Sequence, residues 1–147
     1  MQIKLYSKPL SVNKLYYANK RHGLRAESKE WQYNLFLQLS QYSTQLADLR
    51  SKFIEGQTGY KVAITYILPA PVLYNKAGAP SSKAADLSNC DKALIDVLFL
   101  PAHYGPNVPY QCENLNCDDK HLFELSSKKI PGQRFEILLD IDIIQLP

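Results

Sequence analysis

Asp86-Leu87-Ser88-Asn89-Cys90-Asp91-Lys92 is the stretch of this chain whose residue types and spacing best suit chemistry. An acid opens it, an asparagine follows at the third position on and a lysine at the sixth. A second acidic pair, Asp118-Asp119, lies downstream. Carboxylates gathered from two segments suit a hard cation such as Mg²⁺. A lysine beside them steadies developing negative charge or protonates a leaving oxygen. Together these meet the needs of phosphodiester hydrolysis. Asp86 and Asp119 are therefore candidate ligands, with Asp118 able to add charge beside Asp119, and Lys92 is the candidate catalytic lysine. Taken alone this spacing says little, because Asp pairs are common.

The element that must position them is a helix over residues 87–98. At about 100° per residue, Leu87, Cys90, Ala93, Leu94, Val97 and Leu98 share one apolar arc, and Ser88, Asn89, Lys92 and Asp96 share the polar stripe. Asp86 sits at the helix mouth, where Asp is a good N-cap whatever else it does. Helical side chains lean toward the N-terminus, so the Lys92 ammonium is expected to point toward Asp86. Asp91 lies off the stripe, about 60° from Ser88. Asp96 is two turns from the helix start, too far to complete a site at its mouth.

The rest of the chain supplies a frame. Residues 1–6 alternate as an opening strand, ended by Pro9. Trp31, Leu35, Leu39, Tyr42, Leu46, Leu49 and Phe53 form a helical stripe over 28–53, with Ser28 as candidate N-cap and a break expected near Ser43. Residues 60–68 read as a strand buried on both faces. Pro69 and Pro71 end it, and 72–85 read as a loop. Residues 99–117, rich in proline, form a long connection of the kind that is often functional. Residues 121–130 are a strand candidate closed by the turn signal Pro131-Gly132. In 134–144, Phe135, Ile137, Leu139, Ile141 and Ile143 face one way against Glu136, Asp140 and Asp142. The order β, α, β, α, β, β predicts an α+β (mixed α/β) fold: one domain over 1–147, with a mixed sheet and two main helices packed on it.

The net charge of +3 is unevenly spread. Residues 1–26 hold Lys4, Lys8, Lys14, Lys20, Arg21 and Arg25 and no acid. Clustered cations are either a solvated surface or a phosphate-contacting patch. Lys14, Lys20, Arg21 and Arg25, with Lys76 and Lys83 in the 72–85 loop, are the candidate DNA contacts. No apolar run approaches the roughly 20 residues of a membrane span. No secretory signal opens the chain, and three cysteines make an odd count. Both features fit a cytoplasmic protein. Cys112, Cys117 and His121, with Cys90 and His103, are the donors for a zinc alternative, but their spacing matches no familiar knuckle. No G-x-x-x-x-G-K sequence exists for a P-loop.

The combination resembles the RusA-type Holliday junction resolvases. In that family a helix carries D-x-D-N-x-x-K, usually continuing to D-A-L. Here the stretch is Asp86-Leu87-Ser88-Asn89-Cys90-Asp91-Lys92, then Asp96-Val97-Leu98. Pro9, Ser11, Asn13 and Tyr16-Tyr17 match the family's N-terminal element, and Asp118-Asp119 its downstream acidic pair. The resemblance covers nearly the whole chain. It implies a RusA-like fold and a homodimeric, Mg²⁺-dependent endonuclease (Mn²⁺ as substitute) that cuts four-way DNA by paired nicks, in a bacterial or phage setting. It assigns metal binding to Asp86 and Asp119, catalysis to Lys92, and site organisation to Asn89. Ser88 departs from the pattern, standing where the family has its second aspartate. A hydroxyl holds Mg²⁺ far more weakly than a carboxylate. Two readings follow: a resolvase with a rearranged site, or a branched-DNA-binding protein that has lost cleavage.

Overall fold

The period-two alternation around residues 135–143 becomes a strand in which Ile137, Leu139 and Ile141 are buried. In the computed structural model, which describes residues 1–11, 26–81, 86–99 and 114–147, this strand is β4 (Glu136–Gln145). It lies inside a four-stranded mixed sheet with β1 (Gln2–Leu5), β2 (Thr58–Pro69) and β3 (Leu122–Gly132), in the order β1-β4-β2-β3. β4 is antiparallel to both β1 and β2, whereas β2 and β3 are parallel. The registers Val62↔Ile141, Ile64↔Leu139 and Ile3↔Leu139 bring the buried side chains of neighbouring strands onto one face. Gly132 is required for close approach, since a Cβ there would collide with the Ile67 side chain.

The helices among the described residues are α1 (Ala26–Ser40), α2 (Ser43–Ser51), the single-turn α3 (Ala70–Leu73) and α4 (Leu87–Phe99). Leu35, Leu39 and Leu46 from α1 and α2, and Leu94 and Leu98 from α4, join the inward strand residues in one core cluster. The chain is thus an α+β unit: a mixed sheet with helices packed on it. No helix among the described residues is long and apolar enough to cross a membrane.

The long 28–53 stripe divides as expected, with α2 starting at Ser43. Four other expectations need correction. Ser28 is buried within α1 and does not cap it. β2 is fully buried on one face only, because Ala63, Thr65 and Ile67 stay half-exposed where no described helix covers the sheet. Residues 72 and 73, read as the start of the loop, are instead the end of a short helix over Ala70–Leu73. Pro131-Gly132 does not end β3 early, since both pair with the end of β2. The basic positions Lys14, Lys20, Arg21, Arg25 and Lys83 lie outside the described residues.

The β1 edge is closed by side chains. Gln38 accepts from the Tyr6 N–H at 2.7 Å and donates to the Tyr6 carbonyl at 3.1 Å. The Tyr42 hydroxyl accepts from the Lys4 N–H at 3.2 Å. These contacts satisfy groups that an open edge would leave free.

Candidate active site

α4 carries the residues singled out above, and its two ends differ. At the N-terminus, Asp86 Oδ1 accepts from the Ser88 N–H at 3.0 Å and from the Ser88 hydroxyl at 2.8 Å. It thus caps the helix with a local partner. The Ser88 hydroxyl, its N–H and, more weakly, the Asn89 N–H and the Lys129 charge hold the exposed Asp86 carboxyl below the ordinary carboxylate range. Asn89 is half-buried beside this cap.

The other station lies on the second turn and beyond. Lys92 Nζ donates to Asp96 Oδ1 at 2.8 Å and to Asp119 Oδ2 at 3.3 Å. The Asp96 side chain is 4 % exposed, that of Asp119 35 %, and that of Lys92 52 %. The hydrogen bond to Asp96, helped by the attraction of both acids and opposed by partial burial, raises the Lys92 pKa above the ordinary lysine value. The lysine therefore turns toward the helix C-terminus, opposite to its expected lean. A buried carboxylate one turn on outweighs the weaker steric preference for the N-terminal direction. Asp96, too far along the helix to complete a site at its mouth, is the group that anchors the lysine.

Asp119 reaches this point because the chain before it docks on the end of α4. The Leu115 and Cys117 N–H groups donate to the Leu98 and Phe99 carbonyls at 2.8 and 3.2 Å, and the Asn114 amide donates to the Val97 carbonyl at 2.9 Å. These are carbonyls that a helix C-terminus leaves unpaired. Arg50 of α2 holds the Asn114 carbonyl at 2.6 Å. Asn116 then turns the chain with φ 50°, a conformation asparagine tolerates. Asp118 caps a short 3₁₀ turn, Asp119–His121, by accepting from the Lys120 N–H at 2.8 Å. That bond holds the exposed Asp118 carboxyl below the usual range. The turn runs directly into β3.

A third acid on α4 faces inward. Asp91, 8 % exposed, accepts from the Tyr66 hydroxyl of β2 at 2.8 Å and from the Ser127 hydroxyl of β3 at 2.6 Å. Burial, then the bond to Asp91, pushes the Tyr66 phenol far up. Sequence reasoning set Asp91 aside as off the polar stripe. Its partners come from two strands, so only the assembled sheet reveals them.

The structure thus brings Lys92 together with Asp119 and Asp96, and leaves Asp86 with Ser88. Asp86 and Lys92 are six residues apart, about 9 Å of helix rise, and Lys92 points away from Asp86. Among the described residues no group of three or more His, Cys, Asp or Glu side chains gathers closely enough to hold a metal ion. Asp86, Asp118 and Asp119 accordingly do not form one cradle. Of the zinc alternative, Cys90 is buried on α4 and Cys117 is half-buried, both free thiols, while Cys112 and His103 lie outside the described residues. Lys76 is exposed on the turn after α3.

No protein-family model matches the chain, and no curated protein is significantly similar to it. The fold and site therefore define a class of arrangement only: an α+β unit with a lysine held between two carboxylates where its central helix meets the lead-in to an edge strand.

Proposed function

We propose that this chain is a structure-selective endodeoxyribonuclease of the RusA type, acting on four-way DNA as a homodimer with Mg²⁺ as cofactor. One observation carries the reading: the lysine of the Asp86–Lys92 motif meets the downstream Asp119 at 3.3 Å across 27 residues of sequence. In this reading Lys92 is a fixed positive charge at the phosphate. Its raised pKa keeps it protonated at neutral pH, which suits stabilising negative charge in the transition state more than giving up a proton. Asp96 orients it. Asp119 spends one oxygen on Lys92 and, being partly exposed, has access to water. Mg²⁺ supplies charge neutralisation and an activated water in this reaction class. Asp86, Asp118 and Asp119 do not gather as one group among the described residues, so they do not fit a single ligand set for the ion.

The test is a synthetic four-way junction incubated with purified protein and Mg²⁺ or Mn²⁺. Paired symmetric nicks are expected, with loss of cutting but not of junction binding in Asp119→Asn. A protein that shifts the junction in a gel yet never nicks it under either metal ends the enzyme reading.

That outcome would favour the second reading, a branched-DNA-binding protein without cleavage. The bond from the Ser88 hydroxyl to Asp86 supports it, because a neutral group there occupies the one acid at the helix mouth. Gain of cleavage on Ser88→Asp from an inert parent would strengthen it, and strong cutting by the parent would remove it.

A further inference from the structure

We infer that Asp91 is a positioning residue, fixing α4 against the sheet so that the Lys92 ammonium meets Asp119. The inference rests on the proposed use of Lys92 and Asp119, and it concerns a residue at a position the motif leaves unspecified.

The contacts form a closed ring. Asp96 binds Lys92 to α4 at 2.8 Å, and Lys92 reaches Asp119 at 3.3 Å. Asp119 leads through the 3₁₀ turn into β3, where Ser127 lies eight residues on. Ser127 returns to α4 through Asp91 at 2.6 Å, and Tyr66 ties the same carboxylate to β2 at 2.8 Å. The lysine and its anchor are both on α4, so they move with the helix as one body relative to Asp119. A helix rotation of about 20° carries a Cα, on its radius of about 2.3 Å, by about 0.8 Å, and a long side chain farther. A contact at 3.3 Å does not survive that displacement.

Apolar packing is non-directional and does not by itself specify the angle of the helix about its axis. Cys90, Ala93, Leu94 and Ile95 are buried around Asp91, and an apolar residue would fill its place at lower desolvation cost. Replacing buried polar groups by apolar ones of similar size is often neutral or stabilising. What a carboxylate adds is direction, because each oxygen has one hydroxyl at one distance.

The experiment compares the full-length protein with Tyr66→Phe/Asp91→Leu/Ser127→Ala, Ser127→Ala and Asp91→Asn. Two readouts are needed: junction cleavage with Mg²⁺, and the acylation rate of Lys92 measured by peptide mass spectrometry. Lys61 is the internal control, since it is paired with Glu124 and similarly exposed, 48 % against 52 %. The triple variant should keep or raise its Tm, acylate faster at Lys92 but not at Lys61, and lose about 100-fold in kcat with little change in KM. Ser127→Ala, a milder lesion at the edge strand, should shift both readouts the same way to a smaller extent. Asp91→Asn should stay near the parent, because an amide accepts from one hydroxyl and donates to the other.

Parent-like cleavage and Lys92 acylation in the folded triple variant or in Ser127→Ala would overturn the inference. So would loss of cleavage in Asp91→Asn with Lys92 acylation unchanged, which would make Asp91 a charge or a ligand instead of a geometric anchor. If the parent cuts no junction, the nuclease reading fails, and the acylation rates alone decide the positioning role.

Discussion

The two ends of α4 use their acids in opposite ways. Asp86 is exposed and takes its donors from the helix start beside it, the Ser88 hydroxyl and N–H and the Asn89 N–H. Asp96 is buried and holds a lysine whose other partner comes from a segment 27 residues away. The first arrangement solves a local problem, the unpaired N–H groups that begin every helix. The second needs α4, the segment 114–117 and the 3₁₀ turn to be in place together. A capping acid is satisfied by any helix start, whereas an acid buried with a shared lysine has a tertiary reason to exist. Chemistry is therefore expected at the Lys92 end, and Asp86 need not take part in it.

The largest expected effect breaks the Lys92 end. Lys92→Ala should reduce junction cleavage by about 10²–10³-fold, the usual consequence of losing a preorganised charge at the reacting centre. It should also leave the Asp96 carboxylate buried without its donor. That costs about 1–2 kcal/mol in urea denaturation, at the lower end for such groups because the lysine itself is half in water. Adding Asp96→Leu should recover the stability but not the cleavage. Lys92→Ala cutting at the parent rate would place the chemistry elsewhere.

Ser88→Asp, smaller in effect, sharpens the contrast from the other end. It removes the hydroxyl donor from Asp86 and sets a like charge beside it, so the Asp86 pKa should rise from its lowered position. Two adjacent carboxylates should bind Mg²⁺ more tightly by calorimetry while cleavage stays within a few-fold of the parent, and a gain in cleavage of about tenfold would bring Asp86 into the reacting site. Unchanged Mg²⁺ affinity would confine this end of the helix to capping.

What was legible in the sequence follows the same division. The α4 wheel, the β4 alternation and the break before Ser43 are local patterns, and each element formed where its period put it. The meeting of Lys92 with Asp119 was anticipated from the resemblance. The direction of Lys92 was not, because side-chain lean is a weak rule beside a buried carboxylate one turn away. The burial of Asp96 and the inward partners of Asp91 went unseen for a common reason. A wheel assigns polar residues to solvent, yet both acids turn inward, where Tyr66, Ser127 and Lys92 satisfy them. Asn114 gave no signal either, as its amide serves the Val97 carbonyl at the end of a helix distant in sequence. For Asp91 and Asn114 the partner is absent from the local window, whereas Asp96 has its lysine one turn away and only its burial is not legible locally.

The smallest effect is the pH dependence, which separates the two ends by sign. Asp86 and Asp118 have lowered pKa values in the folded chain. They contribute stability above the ordinary carboxylate value, and it is lost as pH falls through that value to their folded ones. Lys92 has a raised pKa, so its contribution is complete below the ordinary lysine value and is lost as pH rises through the folded one. Denaturation midpoints measured across pH should fall at both limits. Asp86→Asn should flatten only the acid limb and Lys92→Met only the alkaline limb. The acid-limb change should be slight, because both caps are exposed and screened by solvent. An Asp86→Asn variant that also altered the alkaline limb would mean that the two ends are coupled. Asp86 would then belong with Lys92 after all, and the division of α4 into a cap and a reactive station would fail.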